Sequence, residues 1–214
     1  VKTSEKWDCA DFAMTVVIDY AKKHDLPVRF NRVDGLKSWV YSDVHMTEEV
    51  CSMGLDECWR QLRARPYEGL EAEAHPSIAA AHLLDTDLDN TVEIRNIADL
   101  KPGDLIILNQ AANHVQLVYA NPSKVTCHEP DGSTTNRKVL ELLQGNSPPR
   151  EIAYKAWDID KQAKGTGYLV YDTNKQRWQP DAKHNYLNLE QMWQKGEAHG
   201  RRWNVSRFNQ VKGN

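Results

Sequence analysis

The stretch ADLKPGDLIILNQAANHVQLVYANPSKVTCHE, residues 98 to 129, decides how this chain is to be read. It opens a series of short β-branched or alternating runs, the first three at 98–109, 114–120 and 124–132, set apart by Gly, Pro, Asn and Asp. Such runs read as strands, and the short breaks between them read as turns. Residues of like parity share a face, so His114, Gln116 and Val118 point one way and Val115, Leu117 and Tyr119 the other. With the second set in the core, His114 faces outward. On the next run Thr126 and His128 share a face, and a hairpin joining the two runs places His128 beside His114.

Two later runs, REIAYKAWDI (150–159) and GYLVYD (167–172), extend the same pattern. Upstream the pattern is different. From Asp8 to about His24, apolar Ala13, Val16, Val17, Tyr20 and Ala21 recur at spacings of three and four, the mark of a helix with one buried face. Asp8 is a good cap, and Leu26-Pro27 ends the run. Residues 28–46 read as extended segments about Asp34-Gly35, a second helix runs from Thr47 to about Arg63, and the alanine-rich stretch 75–87 is helix-prone. After Pro180 a tail rich in Trp, Gln and Asn reads as a helix with tryptophans packed back on the body. Helices first and strands afterwards predict an α+β fold in one domain, 1–214, with 31–97 shaping a cleft and 180–214 a C-terminal extension.

The 214 residues carry 27 basic and 30 acidic side chains for a net charge of -3. That gives no basic footprint, which argues against nucleic acid as a partner. No apolar run reaches the roughly 18 residues a membrane span needs. The start at Val1, without a charged-then-apolar leader, is what a fragment of a longer protein would show. Cys9, Cys51, Cys58 and Cys127 are too few for a disulfide framework and lack zinc-site spacing. His24, His45, His75, His82, His184 and His199 show no chelating spacing, so no metal and no cofactor is expected. Trp39 and Trp203 are candidates to line a groove.

Cys9 stands where a helix begins. Unpaired backbone N–H groups and the helix dipole favour a thiolate there, and a thiolate is the reactive form of cysteine. A histidine within reach would take the thiol proton and later protonate a leaving amine, held in turn by a third polar group. His114 is the candidate base and His128 the candidate third group, with Glu129, Asp131 and Gln116 as alternatives. Asn113 and Gln116 are candidates for substrate contact. The bland reading of Cys9 is a small buried hydrophobe.

Asp8-Cys9 opening a helix, Pro102-Gly103-Asp104 opening a strand, His114 opening the next and a polar residue, His128, on the strand after it resemble the NlpC family of papain-like bacterial cell-wall peptidases, and more loosely the CHAP amidases. The resemblance covers roughly residues 7–30 and 98–130. It implies a papain-like fold with the N-terminal helix packed on an antiparallel sheet, and hydrolysis of an amide in peptidoglycan stem peptides through a thioester. It also resembles the toxin domains of secreted bacterial effectors, such as those of type VI secretion, which implies delivery to a target cell or periplasm and an immunity protein as partner. Two departures stand out: Ala10-Asp11 replaces the family's Ser-Gly, and the Tyr-x-Trp-Gly-Gly approach is missing. The backbone N–H of Cys9 or Ala10 is the candidate oxyanion donor. A deamidase, acyltransferase or protease acting on a target-cell protein would use the same residues, and a non-catalytic binding module would bury Cys9.

Overall fold

The computed structural model describes residues 6–24, 26, 28–31, 39–41, 70–71, 74–75, 78–109, 113–146, 148–160, 166–184 and 186–208. The expected helix at 47–63, together with His45, Cys51 and Cys58, lies outside them, as do the side chain of Trp39 and the Asp34-Gly35 turn.

One long helix, α1 (Cys9–His24), follows a two-residue strand, β1 (Lys6–Trp7). Asp8 caps it, its Oδ1 accepting from the Ala10 N–H at 2.9 Å, and Lys22, Lys23 and His24 place positive charge on the negative end of the helix dipole. The buried stripe is Cys9, Ala10, Phe12, Ala13, Met14, Ile18 and Ala21. It is rotated from the expected one, since Tyr20 is 59% exposed and its ring lies 4.4 Å from that of His24. The hairpin of β2 (Arg29–Asn31) and β3 (Trp39–Tyr41) comes next. The alanine-rich stretch is not an α-helix but a 3-10 turn at Ala80–Leu83.

Ten strands make up the rest: β4 (Thr91–Ile94), β5 (Leu105–Leu108), β6 (His114–Val118), β7 (Ser123–His128), β8 (Thr134–Gln144), β9 (Arg150–Glu151), β10 (Ala153–Asp158), β11 (Tyr168–Asp172), β12 (Arg177–Pro180) and β13 (Ala198–Trp203). Two short helices, α2 (Leu189–Gln194) and α3 (Val205–Phe208), flank β13. Strand β9 pairs only with β1; the other nine form one sheet, ordered β10-β11-β12-β7-β8-β6-β5-β13-β4. An additional β10–β8 pairing closes β7, β8, β10, β11 and β12 into a five-stranded barrel, with β12 and β7 parallel.

The expected papain-like α+β fold is therefore incorrect: among the described residues the molecule is mostly β, with one substantial helix, and more than half of its large sheet is rolled into a barrel. The reason lies in β8. Its 11 residues, TTNRKVLELLQ, hold good helix formers, yet they pair with β7 and β6 along one edge and β10 along the other. Tertiary pairing overrides local preference here.

The register corrects a second expectation. Strands β6 and β7 do not pair. Both run antiparallel to β8, with Val118 opposite Leu142 and Ser123 opposite Val139. Five residues forward on one side match three on the other, a bulge holding Asn121-Pro122, where proline lacks an N–H for the ladder. Residues 114–128 are thus one long bent strand, turned back into β8 by the tight loop at Gly132 (φ 86°).

Alternate faces of this sheet build three apolar clusters. Val115 and Leu117 join α1, Phe30, Leu105, Ile107 and Trp203. Val118, Leu140, Leu142, Ile106 and Leu108 face the other way, onto Trp157, Tyr168, Leu189 and Met192. Cys127, Val139, Ala156, Leu169 and Trp178 form the third cluster, with Val125, Tyr154 and Tyr171 against it. Among the described residues no helix is long and apolar enough to cross a membrane.

Candidate functional site

The start of α1 and the start of β6 meet. Cys9 packs with Val115, the residue that follows His114, in one apolar cluster, and the backbone of Val115 and of Ala10 favours its thiolate form. That packing draws the first turn of the helix onto the first residues of the strand.

The thiol is not acidic. Cys9 is only 4% exposed, and its pKa rises from 9.0 to about 11. Burial is the largest cause and the Asp8 charge adds to it, while the backbone of Val115 and of Ala10 pulls the other way. Desolvation disfavours an anion more than one helix terminus favours it.

His114 is half-buried, and burial lowers its pKa. The Gln144 side chain and the charge of Asp8 oppose that shift, and Lys155 and His184 reinforce it. The imidazole is thus neutral near pH 7 and able to accept a proton.

Asp8 acts on more than its own helix. Its charge bears on Cys9, Asp11, His75 and His114. Burial first, and Asp8 second, push Asp11 up to about 6. His75, weighed in the sequence only as a metal ligand, instead lies against α1 with its Nε2 3.1 Å from the Thr15 hydroxyl, and burial lowers its pKa. Nothing in the local sequence around His75 signals that placement, because it depends on a contact across 60 positions of chain.

The expected third group does not reach His114. His128 pairs with Thr134 at the far end of the long hairpin, while Gln144, ten residues along β8 from Thr134, lies near His114. That separation corresponds to about 30 Å of extended strand. The alternatives Glu129 and Asp131 share that far end. Glu129 accepts from Arg137 Nη2 at 2.7 Å, and Asp131 accepts from the Ser133 hydroxyl at 2.6 Å. Gln116 is near His114 but only 1% exposed, and its amide is taken up by protein partners, so it offers nothing to a substrate. Asn113 holds a buried Oδ1 without a hydrogen-bond partner among the described residues. Trp203 lines no groove, being 6% exposed with its ring 5.6 Å from Phe30.

Sequence reasoning missed Gln144. It follows His114 by 30 positions, in a stretch without strand signals, and reaches the site only through the pairing of β6 with β8. The Pro102-Gly103-Asp104 turn fits its motif role. Gly103 takes φ 93°, and Asp104 accepts from the Lys101 N–H at 2.7 Å and binds the Arg202 guanidinium of β13 through both oxygens.

A separate cavity of about 500 Å³ lies between Leu140 and Ile159 on one side and Ile97 and Trp193 on the other, with neither Cys9 nor His114 in its walls. Among the described residues no group of three or more His, Cys, Asp or Glu could hold a metal ion. No protein-family model, no curated protein and no solved structure matches the chain.

Proposed function

We propose that the chain is a cysteine-dependent amide hydrolase with Cys9 as nucleophile and His114 as the proton carrier. The observation that carries the reading is the packing of Cys9 with Val115 in one apolar cluster, which brings the residue next to His114 against the start of α1. A neutral thiol and a neutral imidazole fit attack coupled to proton transfer, not a preformed ion pair. As sulfur bonds to the amide carbon, its proton passes to His114; the C–N bond then breaks and His114 returns the proton to the departing amine. Water attacks the resulting thioester, giving a carboxylic acid and the free thiol.

The substrate class comes from the motif resemblance: amide bonds of peptidoglycan stem peptides, attacked by a domain delivered as a secreted effector. Purified sacculi incubated with wild type should release muropeptides that Cys9→Ala does not release. Identical profiles from the two proteins would refute the cell-wall reading.

A second reading is favoured by one observation, the 4% exposure of Cys9. In it the sulfur is part of the core and the chain binds without catalysis. Thioester trapping separates the two: a substrate amide or activated ester acylates Cys9 in the hydrolase and leaves it unmodified in the binding module.

A further inference from the structure

We propose that the cavity between β8 and α2 is a binding site for a small monoanion carried on a flat apolar ring, such as an aryl carboxylate. Neither Cys9 nor His114 is in its walls, so it stands or falls apart from the hydrolase reading.

Local structure fixes the walls. Lys138 and Leu140, two residues apart on β8, share the face that opens on the cavity. Ile159 is pinned beside them, its N–H donating to the Lys138 carbonyl at 2.9 Å. Opposite, the turn that holds Ile97 is closed by Asn96, whose Oδ1 accepts from the Ala98 N–H at 3.0 Å. Helix α2 completes the enclosure. Asn188 caps it by accepting from the Gln191 N–H at 2.9 Å, and donates from Nδ2 to the Asp160 carbonyl at 3.1 Å, just past β10. Trp193, in the last turn of α2, is seated by Gly200 of β13. A Cβ at Gly200 would overlap Trp193 Cη2, so glycine lets the benzo edge of the indole rest on that strand. An aromatic wall is thus in place before a ligand arrives, and a ring packed against it binds without the cost of ordering that side chain.

Volume and charge select the occupant. About 500 Å³ falls in the range of small-molecule sites, and Ile97, Leu140, Ile159 and Trp193 give it apolar walls. Three charged side chains stand round it, Arg95 and Lys138 against Glu190, which leaves a surplus of one positive charge. Arg95 pairs with Glu93 at 3.4 Å, but the two side chains are 89% and 58% exposed, and such a pair is worth little in water. Lys138 forms no ion pair among the described residues, while its neighbour Arg137 takes Glu129 and Asp158. A carboxylate fits the guanidinium fork and balances the surplus. A dianion would bring a second negative charge toward Glu190 with no cation left to balance it.

The test uses the full chain and probes of one shape: naphthalene-2-carboxylate, its neutral carboxamide, and 2-naphthyl phosphate. Calorimetry reads affinity, and the Trp193 indole N–H in ¹H–¹⁵N NMR spectra locates the ligand. The carboxylate should move that signal and bind at least about tenfold more tightly than the carboxamide. Raising salt from about 0.05 to about 0.5 M should remove most of that advantage. Lys138→Glu and, separately, Arg95→Gln change exposed side chains; each should weaken the carboxylate about tenfold and leave the carboxamide within about twofold. Gly200→Ala should weaken both probes by displacing Trp193, and Trp193→Leu supplies the same comparison if Gly200→Ala does not fold. Equal affinity for carboxylate and carboxamide, tighter binding of the phosphate, or a Trp193 signal that no probe moves would each overturn the proposal. So would undiminished carboxylate affinity in both charge variants. Inert sacculi would refute the cell-wall reading and leave this result standing.

Discussion

The burial of Cys9 makes a quantitative prediction about its reactivity. A thiol whose pKa is about 11 is thiolate to about one part in 10⁴ at pH 7, against about 1% for an unperturbed cysteine at 9.0. Resting Cys9 should therefore react with iodoacetamide about 100-fold more slowly than a free thiol at pH 7, even before access through a 4% exposed surface is counted. The rate should rise about tenfold per pH unit from 7 to 10 with no plateau. Asp8→Asn keeps an oxygen to cap the Ala10 N–H but removes a charge that raises the thiol pKa. Labelling at pH 8 should then accelerate several-fold. The assay is residue-resolved mass spectrometry after timed quenching. A Cys9 rate that levels off below pH 8, or that exceeds the rate of a free thiol at pH 7, would mean a preformed thiolate and would refute the reasoning from desolvation.

Three further outcomes follow from the packing. Arg137 is clasped between Glu129 at 2.7 Å and Asp158 at 3.5 Å, so Arg137→Ala strands a carboxylate that is 2% exposed and should cost about 3–5 kcal/mol in urea denaturation. A carboxyl whose folded pKa is raised gives stability that is present at low pH and lost as pH climbs from 3.8 through about 6, so Asp11→Asn should raise Tm at pH 7 and leave it nearly unchanged at pH 3; the half-exposed site limits the gain to about 1 kcal/mol. A Cβ on Gly167 would stand 2.3 Å from Asn188 Cα and 2.5 Å from the Leu187 carbonyl, both backbone, so Gly167→Ala should lower stability by about 1–3 kcal/mol in the same assay.

The legibility of the chain follows the range of its interactions. Helix α1 could be read because cap, apolar spacing and closing proline all lie within 20 residues of one another. Its buried face was harder, because Tyr20 and Met14 differ in fate only through what the sheet presents to them: Met14 is fully buried and Tyr20 is 59% exposed. The runs 105–108, 114–118 and 123–128 were readable as strands from composition, but not their partners. A turn between adjacent strands is the cheaper expectation, since closing a short loop costs less entropy than a long one. The Asn121-Pro122 bulge defeats it by leaving the second run on the same edge of β8 as the first.

That single misreading accounts for both the missed architecture and the missed neighbour of His114. Were β6 and β7 paired, His128 would sit beside His114 and the sheet would remain open. Because β8 serves both strands along one edge and β10 along the other, it closes the barrel, its first half (Thr134–Val139) pairing with β7 and its second (Val139–Gln144) with β10, and its last residues lie along β6. The barrel and the polar group beside His114 are thus two consequences of one 11-residue strand. A substitution that weakens the β8–β10 pairing, such as Ala156→Pro, removes a ladder N–H at a fully buried position, and its effect should appear both in stability and in the ¹⁵N NMR signals of the His114 ring. If the barrel unfolds while the His114 signal keeps its wild-type position, the two are independent and the link through β8 is broken.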